Sequence, residues 1–151
     1  MERTLVLLKP DAIQRNLSGE IIKRLESRGL KIIALKFLLV DEKTAQDHYK
    51  EHINKPFYEG LIRYITSAPL LAMVWEGPQA IAAVRQTMGS TNPLEATPGS
   101  IRHDFALLTS RNLTHASDSA ENAEKEISIW FKKSEIFSWE RIHENWFSGK
   151  N

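Results

Sequence analysis

Apolar residues along this chain fall into short runs that alternate with amphipathic stretches. Residues 4–8 and 70–75 are apolar runs with the length and character of buried strands. Residues 32–40 form a longer run, which is apolar enough to predict a strand in the middle of a sheet. Residues 105–108 are predicted to be short and extended. Strands are therefore expected in both halves of the chain.

The stretches between these runs carry helix signals. A first helix is predicted to begin at residues 18–19 and to end at Gly29. Asp41 is a typical N-cap for a second helix that runs toward Tyr49, and Pro56 interrupts the chain after it. The other predicted helices are residues 58–65, residues 79–88 and a last helix capped by Ser117, Asp118 or Ser119.

Two segments stand outside these elements. Residues 89–99 are dominated by Gly, Ser, Thr, Asn and Pro, a composition that is typical of a long functional loop. The C-terminal tail carries Trp139, Trp146 and Phe147, and these aromatic side chains need a surface to bury against.

The order of the elements predicts an α+β fold in which helices cover one face of a mostly antiparallel sheet. The chain has 151 residues, near the commonest size of a single domain, and carries no linker, repeat or low-complexity segment. We therefore expect one domain over residues 1–151. The order of the strands within the sheet does not follow from these observations.

Charge and composition narrow the classes of function. The formal net charge is +1 with both signs mixed throughout, whereas proteins that bind nucleic-acid phosphates usually show a basic balance or stripe. A phosphate site must therefore come from a few converging cations. The absence of cysteine excludes disulfides and thiolate metal sites, and agrees with a cytoplasmic location. No apolar run is long enough for a signal peptide or a membrane span.

One histidine lies in a setting that suits catalysis. His115 stands in the segment Asn112-Leu113-Thr114-His115-Ala116-Ser117-Asp118, just before a predicted helix start. A neutral imidazole is nucleophilic near pH 7, and its phosphoryl adduct can be passed on. Taken alone, such a segment is more often a capped helix entrance than a catalytic site.

Other motifs accompany residues 111–119 and extend over nearly the whole chain. They are Arg3-Thr4-Leu5-Val6-Leu7-Leu8-Lys9-Pro10-Asp11, His48-Tyr49, Lys55-Pro56-Phe57-Tyr58, Ala72-Met73-Val74-Trp75-Glu76-Gly77, Thr91-Asn92-Pro93 and Pro98-Gly99-Ser100-Ile101-Arg102-His103-Asp104-Phe105. In content and in order, these motifs resemble those of the nucleoside diphosphate kinases.

This resemblance implies a ferredoxin-like βαββαβ fold with a four-stranded sheet and helices on its face. It implies an enzyme that transfers the γ-phosphate of a nucleoside triphosphate to a nucleoside diphosphate by a ping-pong mechanism through phospho-His115, with Mg²⁺ bridging phosphate oxygens. Such an enzyme maintains NTP and dNTP pools. Relatives of this kind are usually homohexamers and in some bacteria homotetramers, and the apolar tail favours the homohexamer.

The resemblance also assigns a phosphate cradle. Lysine as a compact charge and arginine as a bidentate fork stabilise the charge on a transferring phosphoryl group, and neutral side chains add hydrogen bonds. The implied cradle residues are Lys9, Tyr49, Arg85, Thr91, Arg102 and Asn112.

A base slot and two supporting residues complete the implied site. Phe57 would stack on the base, with Leu61 and Thr109 as further walls, and stacking predicts weak selectivity among bases. Glu126 and Ser117 are candidates to orient His115 through its non-attacking ring nitrogen.

Several of these residues also have a purely structural interpretation. Lys9 would then be a solvated strand end, Arg85 a surface arginine, and Phe57 ordinary core. Arg102 would pair with Asp104. Thr91 and Asn112 equally fit capping or turn geometry.

The remaining histidines are weaker candidates. His48 and His52 are four apart and could form a metal pair on one helix face, but no third ligand is indicated and a solvated face is favoured. No metal-ligating residue is therefore predicted. His103 and Ala116 stand where the family usually has Gly, and His103 would lie at the edge of the site or on the surface.

The competing class is a non-catalytic module with a ferredoxin-like sheet that binds RNA or acts in regulation. Such sheets carry aromatic platforms flanked by Lys or Arg on their central strands. The predicted strands 4–8 and 70–75 carry aliphatic residues instead, with only Trp75 at an end. Nucleoside di- and triphosphates are therefore the expected partners, and neither nucleic acid nor a membrane is.

Overall fold

The structure, a computed structural model, describes residues 1–149, so residues 150–151 of the predicted domain lie outside the described part. Its strands are β1 (Glu2–Leu8), β2 (Lys31–Leu38), β3 (Leu70–Gly77) and β4 (Thr114–Ala116). They form one sheet in the spatial order β2-β3-β1-β4, and each pairing is antiparallel. This topology confirms the predicted α+β, ferredoxin-like class.

Eight α-helices connect and cover the strands in the part of the chain that the structure describes. They are α1 (Pro10–Gln14), α2 (Ser18–Ser27), α3 (Glu42–His48), α4 (Tyr58–Ile65), α5 (Ala80–Met88), α6 (Ile101–Phe105), α7 (Ala120–Trp130) and α8 (Asn145–Ser148). The short α1, which starts with proline at its first turn, was not predicted. Within residues 1–149, none of the helices has the length and apolar character of a membrane span.

Both faces of the sheet carry a hydrophobic core. Side chains alternate along β1, so Val6 and Leu8 face one core while Leu5 and Leu7 face the other. Helices α1, α2, α5 and α6 pack on the first core, and α3, α4 and α7 on the second. The predicted helix layer on one face is present, and the structure adds helices on the other face, because the apolar run of β1 is buried on both sides.

Strand β2 lies at an edge of the sheet, which corrects its predicted place in the middle. Three apolar positions of the predicted strand 32–40 account for the error, since Leu35 and Phe37 in β2 and Leu39 just after it are 50, 61 and 63 % exposed. The tail covers the first half of this edge: the backbone N–H of Phe137 donates to Ile33 O at 2.9 Å. Sequence composition alone does not distinguish a buried central strand from an edge strand with an apolar outer surface.

The fourth strand was predicted in the wrong place. Residues 106–108 form no strand; the extended segment that joins the sheet is β4, in which His115 pairs with Leu7 of β1. Residue 105 ends α6, whose start is fixed by the hydroxyl of Ser100 accepting from the backbone N–H of His103. With three residues, β4 is too short for its period to be read from the sequence.

Two predicted helix starts are confirmed by their caps. The carboxylate of Asp41 accepts from the backbone N–H of Thr44 at 2.7 Å. Among the three predicted caps of the last long helix, Ser119 is the one used, since its hydroxyl accepts from the N–H of Asn122 at 3.1 Å.

Candidate active site

His115 projects toward the second core. Directly opposed residues of an antiparallel pair point to the same side, so the pairing of His115 with Leu7 places its ring on the face covered by α3 and α7. The side chain is half-buried. Ala116, one residue on, is in extended backbone in β4, where the methyl group that replaces the usual glycine requires no left-handed conformation.

Glu126 on α7 contacts the imidazole of His115. Its Oε2 lies 2.6 Å from Nε2 of His115, and its buried Oε1 has no hydrogen-bond partner within residues 1–149. A carboxylate only accepts, so Nε2 carries a proton and the lone pair is on Nδ1. Ser117, the other candidate for this role, is directed elsewhere: its hydroxyl accepts from Leu5 N at 3.2 Å.

His48 belongs to this cluster, although the sequence pattern favoured a solvated helix face for it. Its side chain is 2 % exposed, and its ring meets that of His115 edge to face with centroids 4.5 Å apart. The indole N–H of Trp130 donates to Nδ1 of His48 at 3.1 Å. Burial, with smaller contributions from His115 and Lys9, lowers the pKa of His48 well below its usual value, which keeps the ring neutral.

The composition of this cluster bears on whether His48 and His52 could form a metal pair. The three potential ligands that lie together among residues 1–149 are His48, His115 and Glu126, and His52 is not among them. Nδ1 of His48 already accepts from Trp130, and the charged group of Lys9 is close enough to disfavour a second cation. The arrangement therefore suits an oriented nucleophile better than a resident metal ion.

A chain of hydrogen bonds joins Lys9 to the long loop. Lys9 Nζ donates to Asn112 Oδ1 at 2.9 Å, and Nδ2 of Asn112 donates to the carbonyl of Thr91 at 2.9 Å. Burial and the nearby Arg102 cation lower the pKa of Lys9 to about 8. Lys9 is thus not a solvated strand end. A bound phosphate would stabilise the charged form of Lys9, which its surroundings disfavour.

Arg102 is buried and supports the backbone of the same region. Its guanidinium donates to the carbonyls of Gly89, Asn112 and Thr114 at 2.9, 3.2 and 2.6 Å. Burial and the nearby Arg85 lower its pKa to about 10. The alternative interpretation, a pairing of Arg102 with Asp104, is wrong, because the guanidinium of Arg102 donates to three backbone carbonyls instead.

Asp104 and its neighbours lie on the other side of α6. The carboxylate of Asp104 accepts from Arg24 at 2.7 Å and from the backbone N–H of Gly99 at 3.2 Å. His103 is exposed and lies 3.2 Å from Asp104, so the structure places it on the surface.

Two further cradle candidates differ in exposure. Arg85 is exposed and donates to the carbonyl of Ala116 at 3.3 Å, one residue from His115. Tyr49 is buried beside His48, and its hydroxyl has no hydrogen-bond partner within the described chain. Burial and the Glu126 carboxylate raise the pKa of Tyr49 to about 12, so it remains a proton donor at neutral pH.

The predicted base slot is an open cleft of about 710 Å³ beside α4. Phe57 and Leu61 line one wall, and Phe57 is 51 % exposed, which argues against ordinary core. Ser110 and Arg111 line another part of the cleft, and Thr109 is not among the lining residues.

Comparison with known proteins gives a consistent result. The sequence model of the family "Nucleoside diphosphate kinase" matches residues 2–136. The nucleoside diphosphate kinase of Archaeoglobus fulgidus is 54 % identical over 146 residues, which are 97 % of each chain. That of Thermomicrobium roseum is 50 % identical over 149 residues, 99 % of this chain and all of the relative.

Solved structures agree with the sequence relatives. A nucleoside diphosphate kinase family protein from Babesia bovis superposes with a TM-score of 0.95 at 44 % identity, over 97 % of this chain and 99 % of that one. A halophilic nucleoside diphosphate kinase from Halobacterium salinarum, in complex with CDP, gives 0.93 at 46 % identity over 96 % and 97 %. With the match over nearly its whole length, the chain belongs to the nucleoside diphosphate kinase family, the phosphotransferases that move phosphate between nucleotides.

Proposed function

We propose that this enzyme works by a ping-pong cycle through phospho-His115. The observation that carries the proposal is the 2.6 Å contact between Glu126 and Nε2 of His115, which leaves the Nδ1 lone pair available. Nδ1 attacks the γ-phosphorus of a nucleoside triphosphate, a N–P bond forms, and the bond to the β-phosphate oxygen breaks. The diphosphate leaves, and a terminal phosphate oxygen of a second diphosphate takes the phosphoryl group back from Nδ1.

The residues around His115 support both half-reactions. Glu126 offsets the positive charge that the imidazole acquires on attack, as the carboxylate of a catalytic triad does for its histidine. Lys9, Arg85 and Tyr49 can contact the charge that develops on the transferring phosphoryl oxygens. Arg102 and Asn112 hold this region, and their remaining donors complete the cradle.

Nucleotide kinases generally use a divalent metal ion, and we infer that Mg²⁺ enters bound to the substrate phosphates. The carboxylate of Glu126 is used by His115, and Lys9, Arg85 and Arg102 make the surroundings cationic. The protein residues therefore fit the phosphates better than a hydrated cation. The ion neutralises phosphate charge, and chelation should stop the reaction until Mg²⁺ is returned.

The competing RNA-binding class has less support. Base-binding sheets need an open face, and here both faces of the sheet are covered by helices within residues 1–149. The Phe57 cleft instead suits single nucleotides, and the relative from Halobacterium salinarum is described in complex with CDP. Maintenance of NTP and dNTP pools and a cytoplasmic location remain predictions.

We also infer a homo-oligomer, with a hexamer favoured over a tetramer. The exposed apolar side chains Leu35, Phe37 and Leu39 at the sheet edge form a surface that a second copy of the chain could cover. Single copies with such an edge would be prone to nonspecific strand pairing.

Labelling with γ-³²P ATP and Mg²⁺ tests the mechanism. Wild-type protein should acquire acid-labile, base-stable label and release it as NTP when a diphosphate is added. His115→Ala should acquire none, while His143→Ala, a change at an exposed histidine in the tail, should label normally. Stable label in His115→Ala would overturn the assignment.

A further inference from the structure

A strained turn lies immediately before the proposed nucleophile. Leu113 is fully buried and has φ +73°, a conformation that residues other than glycine rarely adopt. The backbone N–H of Thr114 donates to Asn112 O at 2.8 Å, which closes a three-residue γ-turn. Such a turn persists only where its surroundings hold it.

Residues that follow β1 hold both sides of this turn. The backbone N–H of Leu113 donates to Asp11 Oδ2 at 3.1 Å, and the carbonyl of Leu113 accepts from the backbone N–H of Lys9 at 2.8 Å. Asp11 is thus the side chain that fixes the strained peptide. Lys9, whose Nζ reaches Asn112, comes from the same short segment.

Tyr64 fixes Asp11 in turn. Its hydroxyl donates to Oδ1 of Asp11 and accepts from the backbone N–H of Asp11 at 3.4 Å. Burial and the Asp11 carboxylate raise the pKa of Tyr64, so the phenol stays a donor. The guanidinium of Arg111 lies over the Tyr64 ring, 4.2 Å from its centre, and this cation–π contact helps to hold the ring in place.

Tyr64 also connects this network to the nucleotide cleft. It lies on α4 and lines the cleft together with Phe57 and Leu61. A nucleotide base in the cleft would therefore contact the helix that supports the turn two residues before His115.

We propose that Asp11 and Tyr64 are positioning residues, which hold the Leu113 turn so that Asn112 and His115 keep the geometry for phosphoryl transfer. The inference rests on the function proposed above and adds two residues to it. The two side chains act through the turn, and neither is hydrogen-bonded to His115. The rate of His115 phosphorylation should therefore depend on them more than nucleotide affinity does.

Single-turnover phosphorylation and nucleotide binding are measured for Tyr64→Phe, with Tyr58→Phe on the same helix as the matched control. Tyr64→Phe should lower the rate about three- to tenfold, the effect of one lost hydrogen bond, with the dissociation constant within about twofold. Tyr58→Phe should match the wild type. Equal changes in rate and affinity, or an equal loss in Tyr58→Phe, would overturn the proposal.

A double-mutant cycle tests whether Tyr64 acts through Asp11. Asp11→Ala should lower the rate by on the order of 10²-fold, and adding Tyr64→Phe should cost little more, because its partner is already gone. Asp11→Asn, which keeps an acceptor for Leu113, should recover most of the rate and serves if Asp11→Ala does not fold. If the two changes lowered the rate independently, so that their fold-effects multiplied, the result would contradict an action of Tyr64 through Asp11.

Amide hydrogen exchange at Leu113 gives a readout that needs no activity. Exchange should be faster in Asp11→Ala and, to a smaller degree, in Tyr64→Phe, and unchanged in Tyr58→Phe. Unchanged exchange in the first two would overturn the positioning role. If the wild type formed no phosphohistidine, the proposed function would fail, while faster exchange would still support the hold of Asp11 and Tyr64 on the turn.

Discussion

Glu126 and His115 come from α7 and β4, and their side chains meet at 2.6 Å between Oε2 and Nε2. The contact fixes which ring nitrogen of His115 is protonated. The neighbouring His48 is neutral, so it places no second positive charge beside the ring of His115. The pair therefore sets the orientation of the imidazole before any nucleotide binds.

Replacing Glu126 should lower the rate of phosphorylation. In Glu126→Gln the side chain keeps its size but no longer offsets the charge on the ring, and its amide can favour the other tautomer. We expect the single-turnover rate to fall by at least about tenfold, by analogy with the orienting carboxylate of a catalytic triad. Glu124→Gln, at an exposed position of the same helix, is the control. A rate within twofold of wild type would remove Glu126 from the mechanism.

Activity should depend on pH through Lys9. Because its pKa in the free enzyme is lowered to about 8, Lys9 is charged below that pH and loses its charge above it. We therefore expect kcat/KM to fall as pH rises through about 8, and kcat to fall only at higher pH, since bound phosphates favour the charged form. In Lys9→Arg the limb near pH 8 should be absent. The same limb in that variant would assign it to another group.

Loss of the aromatic wall should weaken binding of every nucleotide. Phe57→Ala removes a stacking surface, and we expect binding of GDP, ADP, CDP and UDP to weaken by about 1–3 kcal/mol each. In wild type, efficiencies across the four acceptors should differ modestly, with purines favoured. A spread beyond about a thousandfold would mean that polar contacts read the base.

Arg102 should matter for stability as well as for turnover. In Arg102→Lys a single nitrogen replaces the fork that reaches three carbonyls, and buried carbonyls lose their partners. Urea titration should show a loss of about 1–3 kcal/mol in the free energy of unfolding, together with lower kcat/KM. Arg85→Lys, at an exposed arginine, should unfold like the wild type. Equal unfolding midpoints for both variants would contradict the scaffold role.

The apolar edge of β2 gives a test of assembly. Phe37→Glu places a charge on the proposed interface and should lower the molar mass found by light scattering. Ile53→Glu, at a position that is 60 % exposed between α3 and α4, makes the same type of change outside the β2 edge and the tail and should leave the mass unchanged. An unchanged mass in Phe37→Glu would place the interface elsewhere.

Elements that depend on residues close together in the sequence were predicted correctly. The Asp41 cap, the break at Pro56 and the helices that follow were correct because capping and proline geometry act over a few residues. Strand β2 was misplaced and β4 missed, because edge position and a three-residue pairing are decided by distant parts of the chain.

The site was predicted mainly through its motifs. His115 and the residues assigned to surround it came from the resemblance, and the structure places Lys9 in contact with Asn112 and Glu126 in contact with His115. The burial of His48 was missed because the rings of His115 and Trp130, which pack against it, lie far along the chain. The quoted His48-Tyr49 motif was the available signal.

The C-terminal tail lies beyond the part of the chain that the family model matches, which ends at residue 136. Yet the backbone N–H of Phe137 donates to Ile33 O, and the indole N–H of Trp139 donates to Ile32 O. The Trp139 carbonyl in turn accepts from Lys31 at 2.6 Å. These contacts lie along the edge of β2 that pairs with no other strand within residues 1–149. A chain shortened to the matched part would leave those carbonyls available to another strand. We therefore expect the tail to limit aggregation, and a chain shortened to residues 1–136 should precipitate under conditions in which the full chain stays in solution.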